Sequence, residues 1–466
     1  MTASSTPHAP PTAPKARRHR TELWLLGFAV VLVTVALLTV QAAQDQPFSW
    51  DLLQYILGFV VLFGIAHVAI RVLAPYADPL LLPAVAALNG LGLVMIHRLD
   101  LTARGEVTNL ATSQVMWLAV GIAAFVGTLW IVRDHRTLSR YSYTLGLLGL
   151  VLLILPIVLP NSEARGGAKL WIQTPFFSIQ PGEFAKILII IFTASFLVSR
   201  RDLFTTVGKH FAGIDFPRGR DLGPLLAAWA IAICVLVLET DLGSSLLIFA
   251  TMLAMLYVAT ERVSWMLMGL SLFAAGAVAA YFLFGHLQDR VSIWLDPFQS
   301  PDGAGLQILR SLFALAAGGL FGTGLGSGYP SQVPEIHNDF ILAAFGEELG
   351  LVGLTAIVLL YLMIVMRGLR AGIGVRDSFG KLLAAGLAFT IAIQLFVVLG
   401  GISKLIPMTG LTSPFLSYGG SSLLANYILI ALLIRVSNAA REPDAPKKAA
   451  PAAPVSALPT QVVKHS

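Results

Sequence analysis

The sequence predicts an all-α polytopic membrane protein with about twelve transmembrane helices, both termini cytoplasmic and a large extracellular loop between helices 9 and 10. Three observations carry that prediction. The 466 residues are 56% hydrophobic and only 12% charged, and a mean hydropathy of +0.79 excludes an ordinary soluble globular enzyme. Apolar segments long enough to span a bilayer recur along most of the chain. The basic residues between them fall unequally on the two sides, which sets the orientation.

Residues 1–21 are rich in Pro, Ala, Thr and Ser and end in Lys15, Arg17, Arg18 and Arg20. That composition reads as a disordered basic tail set against the first span. The first apolar run is too long for the core of a cleavable signal, so it reads as a signal anchor. Spans follow at roughly 22–43, 51–72, 79–97, 113–132, 142–160, 182–199, 222–238, 242–259, 263–286, 339–366, 380–401 and 421–436. They make one membrane domain over 22–436, and residues 437–466, containing APKKAAPAAPVSALP, read as a disordered cytoplasmic tail.

With the N-terminus inside, 23 Lys and Arg fall on the cytoplasmic side and 7 outside, with Lys186 inside a span. This asymmetry puts both tails in the cytoplasm and the 287–338 loop outside. The formal net charge of +6 does not point to nucleic acid, because no separate basic domain carries it. The single cysteine, Cys234, lies in an apolar run and excludes an intrachain disulfide.

The stretch from Gln288 to Gly350 concentrates acids, prolines and glycines inside an otherwise apolar chain. A loop of that length in a compact protein is functional or disordered, and its aromatic and apolar residues argue for function. It carries Asp289, Arg290, Asp296, Asp302, Arg310, Glu335, His337 and Asp339. Arg310 belongs to an amphipathic run, LQILRSLFALAAGG, suited to the interface plane. The glycines from Gly318 to Gly328 permit a tight, irregular path. They are weak evidence for a phosphate site, because no strand precedes them. Glu347 and Glu348 enter the next span, where two acids are either near water or raised in pKa.

Three other stretches hold polar groups at membrane depth. In NSEARGGAKLWIQTPFFSIQPGEFAKI, Glu183 and Lys186 share a helix face. They are either a mutually neutralising pair or the lining of a polar cavity. Trp171 is an interfacial anchor or a platform for a sugar ring. In ETDLGSS, Asp241 caps the following helix or, with Glu239, faces a cavity. In KLIPMTGLTSPFLSYGGSSLLANY, two prolines, glycines and hydroxyls, Ser417 and Ser421 among them, interrupt the helix. Irregular backbone there must be buried in protein or line a wet cavity. Lys404 snorkels or meets an anionic headgroup.

Read together, GAKLWI at 167–172, QPGEFAK at 180–186, ETDLGSS at 239–245, WLDPF with PDGAGLQ at 294–307, GTGLGSG at 322–328, NDFILAAFGEELGLVG at 338–353 and IPMTGLTSPFLSYGGSS at 406–422 resemble one known family. This is the shape, elongation, division and sporulation family, in its RodA-like form. The resemblance implies a peptidoglycan glycosyltransferase that joins lipid II, carried on undecaprenyl diphosphate, to a growing glycan outside the membrane. It implies a class B penicillin-binding protein as partner. Family members commonly have ten membrane helices, so two extra helices are expected within 22–97.

The reaction needs a base for the attacking sugar hydroxyl, and positive charge or a divalent cation, magnesium or manganese, at the departing diphosphate. External carboxylates suit the first role, and Lys186, Arg310 or Lys404 the second. The family's usual catalytic aspartate aligns with Ser300, which cannot be the same base near neutral pH. Asp302 and Asp296 are the candidates, with Asp302 favoured beside the flexible Gly303. Trp171, Glu183, Lys186, Glu239, Asp241, Arg310, Lys404, Ser417 and Ser421 are the expected substrate-binding residues. A flippase for the lipid-linked precursor and a weakly active scaffold are the rival readings. A shared external cavity lined by Glu183, Lys186 and one aspartate is the geometry that the first reading expects.

Overall fold

The protein is seen here as a computed structural model. It describes residues 15–102, 109–159, 162–165, 168–173, 178–201, 209–211, 214–216, 242–303 and 305–443. Ten helices among these are long and apolar enough to cross a membrane. They are α1 (Lys15–Ala43, apolar from Arg20), α2 (Trp50–Leu73), α3 (Leu81–Thr102), α4 (Leu110–Ile131), α7 (Pro181–Ser199), α8 (Leu242–Thr260), α9 (Val263–Leu283), α12 (Ile341–Gly374), α13 (Ser378–Ile402) and α14 (Gly420–Arg441). Of the twelve predicted spans, 142–160 appears as the shorter α6 (Ser142–Val158), and 222–238 lies outside the described residues. Three short helices complete the set: α5 (Arg136–Arg140), α10 (Gly285–Leu295) and α11 (Leu306–Gly318). Of these, α11 lies within the stretch expected as a loop, and α10 runs into it from the end of the predicted span 263–286.

Local chemistry fixes several boundaries. Ser49 caps α2 by accepting from the Leu52 N–H at 3.3 Å, and Asp377 caps α13 by accepting from Gly380 at 2.7 Å. Pro181 opens α7, where its missing N–H costs nothing. Within α12, Gly350 has φ +66 and breaks the helix, a conformation that favours glycine. The freed N–H groups of Leu351 and Val352 donate to Gly319 and Leu320 at 2.9 and 3.1 Å.

Packing sorts the helices by depth. The most apolar stretch of α3 is 94% buried, so it is the central helix. Its hydropathy is the lowest of the ten, because it carries Asn89, His97 and Arg98 inward to partners. By contrast α9 packs on α8 and leaves most of its surface exposed, as a lipid-facing helix does.

One end of the bundle is basic and tightly tied. Asp78 accepts from Arg441 and lies 3.6 Å from Arg367, while its own N–H donates to Ser437 at 3.1 Å. Arg435 donates to the carbonyls of Leu73, at 2.6 Å, and Leu129. A cation at those two helix C-termini suits their dipoles. His135 contacts Asp377 at 2.9 Å. Burial raises the Asp377 carboxyl, but the Gly380 N–H, His135 and Arg136 outweigh it and hold it below its usual range.

Small strands, which the sequence reading did not predict, stand between spans. β1 (Ser162–Arg165), β2 (Ala168–Gln173) and β3 (Ser178–Ile179) form an antiparallel sheet in that order. Glu163 pairs with Trp171, with a bulge between Glu163 and Ala164, and Ile172 pairs with Ile179. β4 (Lys209–Phe211) and β5 (Ile214–Phe216) form a separate hairpin, with His210 opposite Asp215.

Candidate functional site

The described site residues lie toward the end of the bundle opposite the basic one, in two separate groups. Glu183 and Lys186, on the first two turns of α7, form an ion pair with Nζ to Oε2 at 2.6 Å. Both are buried, at 6% and 4% exposure. A buried pair holds only when its remaining hydrogen-bonding capacity is met, and here a third residue contributes. Lys186 Nζ also donates to Gln394 Oε1 at 3.2 Å. The Gln394 amide is oriented by its own donation to the Thr412 carbonyl at 2.8 Å. The chain continues through Thr412 Oγ1 and Ser422 Oγ, 2.8 Å apart, to Asn426. Gln394 is fully buried and was not among the predicted residues.

The irregular 403–419 segment is buried in protein over 413–417, while Ser403, Leu405 and Gly410 are exposed. Asn89 donates to the Phe415 carbonyl at 3.2 Å, and Tyr361 donates to that of Pro414. Phe415 itself has φ +68, a strained conformation that the packing around it must hold. Ser417 donates to the Asn338 carbonyl at 2.6 Å and accepts from the Ser413 N–H at 2.8 Å. Ser421 accepts from the Gln180 N–H at 3.0 Å, joining the entrance of α7 to that of α14. These two serines are thus committed to backbone partners.

Asp296 and Asp302 lie on the other flank of the same segment. Asp296 is exposed, and its Oδ1 accepts from the Phe298 N–H at 3.1 Å, capping a 3₁₀ turn over Pro297–Gln299. Asp302 is also exposed, and among the described residues no hydrogen bond or ion pair engages it. Ser300 is half-buried, and its carbonyl accepts from Gly303 and Gly305 at 3.2 and 3.1 Å. The loop is tied to 403–419 by three bonds. Trp294 Nε1 donates to the Lys404 carbonyl at 3.0 Å, Lys404 Nζ to the Leu295 carbonyl at 3.2 Å, and Arg290 to that of Met408 at 3.3 Å. Arg310, on α11, is exposed and donates to Gln332 at 2.9 Å. Trp171 is half-buried on β2. Glu239 and Asp241 lie outside the described residues.

Glu183 and Lys186 are buried against Gln394 whereas Asp296 and Asp302 are exposed, so the expected cavity lined jointly by the charge pair and an aspartate is not formed among the described residues. Gln394 and Ile402 are eight residues apart on α13, or about 12 Å along its axis. Ile402 receives the Ser311 hydroxyl at 3.1 Å. Between them a small cleft of about 10 Å³, lined by Asp339, Val398, Ile402, Met408 and Gly410 among others, has room for little more than one water molecule.

The glycine-rich segment has a different role from phosphate binding. Its backbone is occupied by the chain's own acids. Gly326 N–H donates to Glu348 Oε2 and Tyr329 N–H to Glu347 Oε1, both at 2.9 Å. Glu348 is fully buried and paired with Arg98 at 3.1 Å, and Arg98 also donates to the Gly328 carbonyl at 2.8 Å. Both acids are buried, Glu347 at 6% and Glu348 at 0% exposure. Nearby, the His337 ring packs edge-on to Tyr418, with centroids 5.9 Å apart. Burial pushes the His337 imidazole below its usual range against the opposing pull of Glu335. No group of three or more His, Cys, Asp or Glu among the described residues is placed to hold a metal ion.

The pattern of the FtsW, RodA and SpoVE cell cycle proteins matches residues 79–442. The chain is 57% identical over 460 residues to the peptidoglycan glycosyltransferase RodA of Mycobacterium tuberculosis, with 97% of each covered. It is 34% identical to the stage V sporulation protein E of Bacillus subtilis, over 71% of this chain and 87% of that protein. Among solved structures it resembles a chain from a study of polymerization and crosslinking by a peptidoglycan synthase complex. That match has a TM-score of 0.62 and 26% identity, and covers 79% of this chain and 99% of the other. The fold is also that of the rod shape determining protein RodA of Thermus thermophilus, at a TM-score of 0.54 and 24% identity, covering 79% and 98%.

Proposed function

The chain belongs to the FtsW/RodA/SpoVE family, and from that premise we propose that it is a peptidoglycan glycosyltransferase polymerising lipid II into glycan strands. It is a multi-pass protein of the bacterial cytoplasmic membrane and acts at the outer face. The observation that carries this reading is the 57% identity, over 97% of both chains, to mycobacterial peptidoglycan glycosyltransferases. The basic end, with Arg71, Arg367, Arg435 and Arg441, faces the cytoplasm, and the end bearing Asp296, Asp302 and Lys404 faces outward. The twelve spans expected from the sequence put both termini inside.

In this mechanism Asp302 removes the proton from the acceptor sugar hydroxyl as it attacks the donor's anomeric carbon. Asp302 is preferred to Asp296 because no bond engages its carboxylate among the described residues, whereas Asp296 holds the Phe298 N–H. Lys404, held on the same flank by the Leu295 carbonyl, offers positive charge to the departing diphosphate. Glu183, Lys186 and Gln394 hold α7 and α13 at a fixed spacing below it. Trp171, Arg310, Glu239 and Asp241 complete the proposed substrate contacts, and Ser417 and Ser421 shape the backbone. A magnesium or manganese ion would arrive with the substrate diphosphate, which supplies most of its ligands; the described residues offer no cage for it. A class B penicillin-binding protein crosslinks the product, a reading supported by the likeness to the synthase complex.

Purified protein given lipid II, with a divalent cation and with or without that partner, is expected to form glycan polymer. No polymer under any of these conditions, together with translocation of the precursor in liposomes, would overturn the reading in favour of a flippase.

A further inference from the structure

The family match begins at residue 79, and α1 and α2 precede it. We propose that this added helix pair is a brace for the glycine-rich segment of the site, with Gln44 as its positioning residue. The brace rests on two contacts that converge on one glycine, from opposite sides.

The pair is first locked to itself and to the bundle. Near the basic end, buried Glu22 of α1 meets His67 of α2 at 2.7 Å, and Arg71 donates to the other ring nitrogen at 2.9 Å. Near the site end, Gln41 donates to the Pro47 carbonyl at 2.7 Å, and its Oε1 lies 3.1 Å from His97 Nε2 of the central helix. Tyr55 of α2 reaches Thr112 of α4 at 3.0 Å. Polar bonds at both ends of two apolar helices fix their register, which hydrophobic packing in lipid does not do alone.

The end of α1 then meets the glycine-rich segment. Gln44 Nε2 donates to the Gly326 carbonyl at 2.6 Å. Gly326 has φ +84, and a Cβ there would lie 2.8 Å from that of Ala43. Only glycine permits both that conformation and that approach. On its other side the Gly326 N–H is held by Glu348 at 2.9 Å. One glycine is thus gripped from the family core by a carboxylate and from the added helix by an amide. The segment leads on through Tyr329, bound to Glu347, to Gln332, bound to Arg310 of α11. That helix begins four residues after Asp302. The brace therefore fixes the far anchor of the helix that follows the proposed base.

The brace rests on the proposed polymerase activity only for its kinetic readout. Full-length protein with Gln44→Glu, which is isosteric but lacks the donor, is compared with wild type and with Gln44→Lys, which restores a donor. Loss of one hydrogen bond is expected to raise amide exchange at 322–329 about five- to tenfold, with exchange in α12 and α13 unchanged. With lipid II as substrate, kcat is expected to fall by a similar factor while KM changes less than about twofold, and Gln44→Lys is expected to recover most of both. Unchanged exchange at 322–329 in Gln44→Glu would overturn the brace, whether or not polymer forms. Increased exchange with unaltered kcat would overturn the positioning role of Gln44. A Gln44→Glu protein too unstable to assay transfers both readouts to Ala43→Leu, which crowds Gly326 from the same side; unchanged exchange there overturns the brace as well.

Discussion

Replacing Arg98 by methionine is the sharpest test of how the site end is held. The guanidinium is 2% exposed and the Glu348 carboxylate fully buried, so the substitution leaves a buried acid with the Gly326 N–H and no counter-charge. Removing one partner of a buried ion pair costs about 3–5 kcal/mol. The Gly328 carbonyl loses its donor too, for roughly another 1 kcal/mol. Arg98→Met is thus expected to lower stability by about 4–6 kcal/mol. Adding Glu348→Gln removes the orphaned charge while keeping an acceptor for Gly326, and the double variant is expected to regain roughly 2 kcal/mol over the single one. Reversible unfolding in mixed micelles, followed by tryptophan fluorescence, measures both. A cost below about 1 kcal/mol for Arg98→Met, or a double variant no better than the single one, would refute the anchoring argument.

Other outcomes follow from the same contacts. Gln394→Leu strips Lys186 of its neutral acceptor and strands the Thr412 carbonyl. It should lower kcat/KM for lipid II by at least about tenfold, or ~1.4 kcal/mol; Gln394→Glu, which keeps the Lys186 contact, should fall between. His337 resists protonation in the folded protein, so its contribution to stability is complete above the unfolded pKa of about 6.5. It is lost as pH falls through the depressed folded value. Wild type should therefore lose stability relative to His337→Gln between pH 7 and 5, read from paired unfolding curves; parallel curves would contradict this.

Much of this architecture is legible in the sequence because it is local. The spans follow from runs of apolar residues, and Glu183 and Lys186 lie three apart, so helix geometry alone brings them together at 2.6 Å. What could not be read was pairing across long separations. Arg98 and Glu348 are 250 residues apart, and Lys186 and Gln394 are 208 apart; periodicity names the faces of helices and not their neighbours. The acids Glu347 and Glu348 stand out in the sequence because charge in a span is costly, and they satisfy a glycine-rich backbone. The only signal that could have suggested this was their company: glycines upstream expose N–H groups that need acceptors. Short strands such as β3, two residues long, carry too little alternation to be seen.

The central claim is that an external carboxylate of the 287–338 stretch drives glycan polymerisation although Ser300 stands in the usual place of the acid. Asparagine caps helical turns as well as aspartate does, so Asp296→Asn keeps the Phe298 contact and is expected to polymerise lipid II at near wild-type rate. Asp302→Asn removes the proposed base and is expected to lose at least about a hundredfold in kcat. Rates of lipid II polymerisation for these two variants, measured side by side, decide the matter. Full activity in Asp302→Asn, or loss confined to Asp296→Asn, would contradict the assignment.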